Sequence, residues 1–312
     1  MAAAVASRPP IAANEGVPRR RRLIAAWIAL AIGLIVVWEG AKWLFGDPWR
    51  VHAAILGLPI DIEHVPPFRN RIATDLSLPH VWDVLGAFIV PAQRNGPPLG
   101  QILFGQALFT FREALIGFVV GGLLGLSLGI IFIHSRLAER AFVPYVVASQ
   151  TVPILAISPI IVVATHAGWA SVAIISAYLT FFPVTIAALR GLRAADPRAF
   201  ELMRSYAASK RSVLWKLRLP TSVPYLFASL RVAAAAAVIG AIIGELPSGI
   251  PDGLGSALLN YNQYYSSGPE RLWATIIMCS AVGLAFVGLV RLTEFLLTRD
   301  RYRPAPSTST AS

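Results

Sequence analysis

The chain has 312 residues, of which 56% are hydrophobic and only 14% charged, with a formal net charge of +11. That balance sets aside a soluble globular domain and points to a polytopic membrane protein. Cys279 is the only cysteine, which excludes an intrachain disulfide and a cysteine-based metal site, and His52, His64, His80, His134 and His166 are too dispersed to read as metal ligands.

Residues 1–18 are Ala, Pro and polar, without hydrophobic periodicity, and are expected to lack fixed structure. They belong to a basic tail, 1–22, whose run Arg19 to Arg22 stands immediately before the first apolar stretch, 23–45. The positive-inside rule therefore places the N-terminus in the cytoplasm. The stretch outruns the roughly 7–15 residues of a secretory h-region, and Trp38 to Trp43 offers no small-x-small cleavage site, so it reads as an uncleaved anchor. Residues 46–110 form a proline-rich extracytoplasmic segment with one interfacial helix around Val81 to Ile89. No catalytic motif occurs there, and a lid or lateral covering is the plain reading.

Five further apolar stretches follow, at 111–134, 141–164, 169–189, 223–246 and 271–297. Each is long enough to cross a hydrocarbon core of about 30 Å as a helix, so the fold predicted is all-α with six spans. Alternating them puts Arg136, Arg140, the loop from Arg190 to Arg218 and the C-terminal tail 298–312 on the cytoplasmic side. Topology thus accounts for the basic residues, and nucleic acid is not an expected partner. The second span carries Gly117, Gly121, Gly125 and Gly129 on one helical face, and the fifth repeats the device with Ala236, Gly240 and Gly244. Such faces let neighbouring backbones approach, either as static seams or as sliding surfaces. Pro144, Pro153 and Pro159 in the third span predict a break of the kind tolerated where helices pack or line a cavity.

The ionisable residues near the spans are Glu39, Glu113, Arg231, Glu245, Arg291 and Glu294, and most of them fall near predicted ends, where long side chains reach the interface. Paired carboxylates within a span are not expected. Glu245, in Gly244-Glu245-Leu246-Pro247, has two open readings: a gate or contact for a solute or binding protein, and an interfacial helix-end carboxylate. Asn260 and Tyr261, followed by Asn262, Tyr264 and Tyr265, read equally as part of an outer mouth or as an aromatic belt.

A long polar interruption between two apolar stretches runs from Asp196 to Pro220. Asp196 suits an N-cap and Pro197 a first helical turn, so a helix should start there, with Phe200, Met203 and Ala207 on its apolar face. Ser209 can cap a second short helix through Val213, Leu214 and Leu217, which Pro220 should end. From residue chemistry the loop reads as a basic connector beneath anionic head groups or as a docking surface for a cytoplasmic motor.

The spacing of this loop resembles the EAA signature of the permease subunits of type I ATP-binding-cassette importers. The resemblance covers about Leu103 to Phe295 and is closest to the nitrate, sulfonate, taurine and vitamin-precursor subgroup. Glu201 stands at the family's Glu, Leu202 and Met203 at the two Ala, and Ala207 at the Gly; Leu217, Leu219 and Pro220 match its aliphatic-x-Leu-Pro end. The resemblance implies a coupling helix seated in a groove of a separate ATPase subunit, which binds ATP and Mg. It also implies a second permease copy, as homodimer or heterodimer, an extracytoplasmic solute-binding protein, and the bacterial plasma (inner) membrane with both termini cytoplasmic. A left-handed backbone at Ala207 would cost a non-glycine residue about 1–2 kcal/mol, so the turn is either right-handed here or different in geometry.

The chain carries no Gly-x-x-x-x-Gly-Lys-Ser/Thr loop, no HExxH and no GxSxG. It is therefore expected to be a transport subunit without enzymatic activity or cofactor of its own. The Gly-Glu-Leu-Pro end of the fifth span resembles that of permeases for pyrimidine vitamin precursors and riboflavin, with nitrate, sulfonate or taurine as the alternative. Outside the family, a secondary transporter or channel that needs no ATPase is the competing reading, and a membrane-bound enzyme comes third.

Overall fold

The computed structural model describes residues 16–55, 58–68, 70 and 73–298. It divides into two compact units, Met1–Leu85 and Gly86–Ser312. In the first, α1 (Gly16–Phe45) is a 30-residue helix, about 45 Å long at 1.5 Å per residue. Its stretch Arg21–Phe45 has the length and apolarity of a membrane span. Residues 16–18, expected to lack structure, are already helical, and 1–15 and 299–312 lie outside the described residues. The C-terminal third of α1 carries the polar groups that fasten the following segment. Trp38 Nε1 donates to Pro79 O at 3.0 Å, Lys42 pairs with Asp75, and Glu39 accepts from Val81 N at 2.7 Å.

Residues 46–64 hold a feature the sequence reading lacks, an antiparallel hairpin of β1 (Trp49–Ile55) and β2 (Leu58–His64), in register from Trp49↔His64 to Ile55↔Leu58. In a two-stranded ribbon each strand has a free edge, so Pro59, opposite Ala54, does not interrupt the pairing. The interfacial helix expected around Val81 to Ile89 is α2 (Val81–Ala87). Apart from the hairpin and one bridge between Pro91 and Pro98, the described residues carry helices and connecting segments.

The second unit is a helical bundle around α3 (Leu99–His134), α6 (Trp169–Arg193) and α9 (Leu219–Ser248). The span predicted over 111–134 belongs to a longer helix that starts at Leu99, directly after Pro97-Pro98. The span predicted over 141–164 is two helices, α4 (Arg136–Ala148) and α5 (Ile154–Ala164), bent by 103° about a 3₁₀ turn at Ser149–Thr151. Val152, held out of the helical region by Pro153, has φ −82 and ψ 124, and this sets the bend. Tyr178 of α6 donates its hydroxyl to Ser149 O, one of the carbonyls freed at the break. Five single helices, or six spans with α4–α5 taken as one, have membrane-crossing length and composition.

The glycine repeats are where α6 is gripped. A Cβ on Gly121 would lie 2.5 Å from Ala177 O, and one on Gly125 2.6 Å from Phe181 O; Gly117 meets Ser176 and Gly129 meets Ala188. On the other side of α6, a Cβ on Gly240 would lie 2.8 Å from Ser176 Cα and one on Gly244 3.1 Å from Val172 Cα. Without the usual hydrophobic drive between helices in lipid, this backbone-close packing and the hydrogen bonds it permits hold the bundle. Ser176 Oγ donates to Ala237 O of α9 at 2.9 Å across that seam. The remaining elements are α7 (Pro197–Ser205), α8 (Lys210–Val213), α10 (Leu254–Gln263) and α11 (Pro269–Thr298). Phe286 of α11 is buried against Phe111 and Phe118 of α3. Arg231 and Glu294 pair at 2.5 Å between α9 and α11. Large apolar side chains such as Leu123, Ile239 and Leu284 stand exposed on the bundle, as lipid contact requires.

Candidate functional site

At the end of α6 the loop folds as its local chemistry dictates. Asp196 Oδ1 accepts from Arg198 N at 2.8 Å and Pro197 occupies the first turn of α7. The helix closes in a Schellman arrangement, with Ala208 N donating to Met203 O at 3.0 Å and Ala207 N to Arg204 O at 2.9 Å. Ala207 is the residue after the cap and has φ +47. The backbone is thus left-handed without a glycine, and the right-handed alternative is overturned. Ser209 then caps α8, accepting from Ser212 N at 3.2 Å.

Pro220 departs from its expected role. It does not end the second helix but stands in the first turn of α9, after one π-type turn over Leu214–Arg218. The wider turn accommodates the ring, and α8 runs on into the membrane helix. Leu217 and Leu219 therefore stand at this junction, not on a free loop.

A residue that sequence reasoning counted only as basic links the parts. Arg218 Nη1 donates to Leu192 O of α6 at 3.0 Å, and its guanidinium lies 4.7 Å from the centroid of the Phe200 ring of α7. One side chain thus joins the end of α6, the middle of α7 and the start of α9. Phe200, Glu201, Arg204, Ala207, Lys210 and Arg218 line an open cavity of about 590 Å³. Arg193 and Glu139 pair at 2.5 Å on the same side of the bundle, which puts the Arg136–Arg140 turn beside this loop.

The opposite end holds Glu245. It is 0% exposed, not interfacial, and its Oε2 accepts from Gly255 N at 2.6 Å. Gly253 N donates to Gln106 Oε1, and Leu254 N to Thr110 Oγ1 at 2.8 Å. The N-terminus of α10 is therefore capped from outside itself, by two side chains of α3 and one of α9. The helix dipole sets its positive end against the Glu245 carboxyl. Gly253, at φ +101, and Gly255 leave room for that carboxyl, since a Cβ on Gly255 would lie 2.7 Å from Glu245 Cβ.

Glu113, 1% exposed, brings its carboxyl to that of Glu245, and both Glu113 oxygens lack a hydrogen-bond partner. Two different spans therefore contribute a facing pair of carboxyls, a pairing that the sequence of either span alone does not show. With the helix beginning at Leu99, Glu113 is not near a helix end but inside it. Asn260 and Tyr261 join Glu245 and Gln106 around one cavity of about 410 Å³, and burial pushes the Tyr261 hydroxyl up from its ordinary value. The three residues singled out in sequence thus meet in one place, with Gln106, Thr110 and Glu113 as the partners that sequence did not reveal.

The family of binding-protein-dependent transport system inner membrane components matches residues 121–299, more than half of the chain. The chain belongs to that family. This inner membrane component is 34% identical over 141 residues to a formylaminopyrimidine transport permease protein of Halalkalibacterium halodurans, covering 45% of this chain and 56% of the relative. It is 30% identical over 233 residues to a Bacillus subtilis permease protein named for aliphatic sulfonates transport, covering 71% of this chain and 83% of the relative. The riboflavin transport system permease protein of Chloroflexus aurantiacus is 30% identical over 191 residues, 59% of this chain and 69% of that one. The chain spans 56% and 57% of the length of the first two curated relatives it matches. Among solved structures, an inward-facing MetNI methionine ABC transporter superposes with a TM-score of 0.51 at 17% identity, over 66% of this chain and 96% of that one. At that identity the likeness is one of fold.

Proposed function

We propose that this inner membrane component is the permease subunit of an ATP-driven importer in a bacterial plasma membrane. It pairs with a second permease copy, takes a small organic solute from an extracytoplasmic binding protein, and is driven by separate ATPase subunits that hold ATP and Mg. The N- and C-termini and the 196–220 loop face the cytoplasm. The observation that carries this reading is the link made by Arg218 among α7, α6 and α9. A push on α7 from a docked ATPase reaches both helices that, with α3, make the packed centre of the bundle. Glu201, exposed on α7, belongs to the surface such a partner would grip.

For the solute, the formylaminopyrimidine and riboflavin relatives favour a heterocyclic vitamin or precursor. The aliphatic sulfonates relative supports a second reading through its longer overlap. The function is tested by uptake into proteoliposomes holding this chain with and without its ATPase and binding protein. ATP-dependent uptake is expected only with both partners, and Glu201→Ala is expected to lower uptake per ATP hydrolysed while the spans remain folded. Uptake by the chain alone would overturn the proposal in favour of a secondary transporter or channel.

A further inference from the structure

The facing carboxyls of Glu113 on α3 and Glu245 on α9 are both closed to solvent, and neither has an ion-pair partner among the described residues. The two Glu245 oxygens differ. Oε2 accepts from Gly255 N at 2.6 Å at the start of the ten-residue helix α10, whereas Oε1 is buried without a hydrogen-bond partner. Both oxygens of Glu113 are buried without one as well. The neighbouring hydroxyl of Thr110 directs its hydrogen to Gln106 O at 3.2 Å and accepts from Leu254 N. Three of the five buried side-chain atoms that lack a partner among the described residues therefore belong to this one pair. All three are acceptors in need of a donor.

The surrounding groups do not supply a counter-charge. Arg112 is exposed and stands about 100° round α3 from Glu113. Asp252, exposed before α10, adds negative charge, Tyr261 of α10 presents a neutral phenol with Arg271 beside it, and Cys279 of α11 presents a thiol. Two carboxylates side by side, away from water and without a cation, cannot both stay charged. One proton resolves the conflict, because a carboxylic acid has an O–H to donate. The Gly255 N–H and the positive end of the α10 dipole favour the charge on Glu245, which leaves the proton to Glu113. The atom still unpaired is then a neutral carbonyl oxygen, which costs far less to bury than a charge.

We propose that the two carboxyls are a binding site for one proton, carried by Glu113 as a neutral acid that donates to Oε1 of the Glu245 carboxylate. The proton acts as a latch. It joins α3 to α9, and Glu245 in turn holds the start of α10 through Gly255 N. Glu245 also lines the cavity of about 410 Å³ with Gln106 and Asn260, so a movement that lifts α10 off Glu245 opens a way out for the proton. At neutral pH the folded chain keeps a proton that the unfolded chain releases. The latched arrangement is therefore weakened as pH rises.

The test is infrared spectroscopy of the full-length chain in liposomes at about pH 7.5, where exposed carboxyls are ionised, with carbon-13 in the glutamate carboxyls to assign the bands. A protonated-carboxyl band that moves with the label is expected. Glu113→Gln, whose amide N–H replaces the acid as donor, should remove that band. Glu245→Gln should keep it at a shifted frequency, since the acceptor becomes an amide oxygen, and it carries the test if Glu113→Gln fails to fold. Melting curves give a second readout: the unaltered chain should lose stability relative to Glu113→Gln as pH rises from about 6 to about 8, by up to about ten-fold in the folding equilibrium per pH unit. Absence of the band, or a band unchanged in both variants, would overturn the site. A band removed by Glu245→Gln and kept in Glu113→Gln would overturn the assignment of the proton to Glu113, and melting temperatures that run parallel with pH would overturn the latch.

Discussion

Ala207→Gly isolates the geometry on which the loop turns. At φ +47 the alanine methyl crowds its own backbone, a strain of about 1–2 kcal/mol that glycine does not bear. Glycine gives back about 0.5–1 kcal/mol through the extra freedom of its unfolded chain. The net gain is about 0.75 kcal/mol, roughly a three- to four-fold shift in the equilibrium between closed and frayed α7. Hydrogen exchange of the purified chain, followed by mass spectrometry over peptides spanning 197–213, reads this directly. The amides of Ala207 and Ala208 close the motif onto Arg204 O and Met203 O. Slower exchange by roughly that factor is expected in Ala207→Gly, and faster exchange in Ala207→Val, whose branched side chain suits a left-handed residue still less. Equal or faster exchange in the glycine variant would refute the argument that Ala207 is strained.

Further expectations concern the framework and the coupling loop. Gly121→Leu should separate α3 from α6, because even its Cβ would lie 2.5 Å from Ala177 O; a loss of thermal stability on the scale of about 1–3 kcal/mol or more is expected. Gly105→Leu, with nothing within 4 Å, should leave the melting temperature unchanged. Glu245→Ala should destabilise by about 1–3 kcal/mol by leaving Gly255 N unpaired, whereas Glu245→Gln keeps an acceptor there and should retain most of the melting temperature. Arg218→Ala should leave ATP hydrolysis by the assembled complex measurable but reduce uptake, since α7 then loses its link to Leu192; unchanged uptake per ATP would remove Arg218 from the coupling route.

What could be read from sequence and what could not divide along physical lines. Asp196, Pro197 and Ser209 announce their helices because capping is settled within three residues of chain. The glycines four apart announce a close-packed face because helical periodicity is local too. The bend at Val152-Pro153 was legible as a break but not as 103°, since the angle depends on what α5 packs against. Pro220 was read as a terminator because nothing local reveals the π-type turn that lets the helix continue. The cap of α10 was out of reach for a deeper reason. Gln106 and Thr110 are separated from Gly253 and Leu254 by more than 140 positions, and only the packing of α3 beside α9 brings them together. Glu113 was misplaced because hydropathy alone set the start of its span, whereas Pro97-Pro98 before Leu99 marks the true helix start.

The central claim is that a separate motor grips the 196–220 loop. It is met most directly by quantitative mass spectrometry of proteins that co-purify with the tagged chain from gently solubilised native membranes, compared with the Glu201→Ala variant. An ATP-binding-cassette ATPase in stoichiometric amount is expected with the unaltered chain and reduced or more easily lost with the variant. Stable preparations that lack any such ATPase, while the chain alone moves solute across liposomes, would contradict the account.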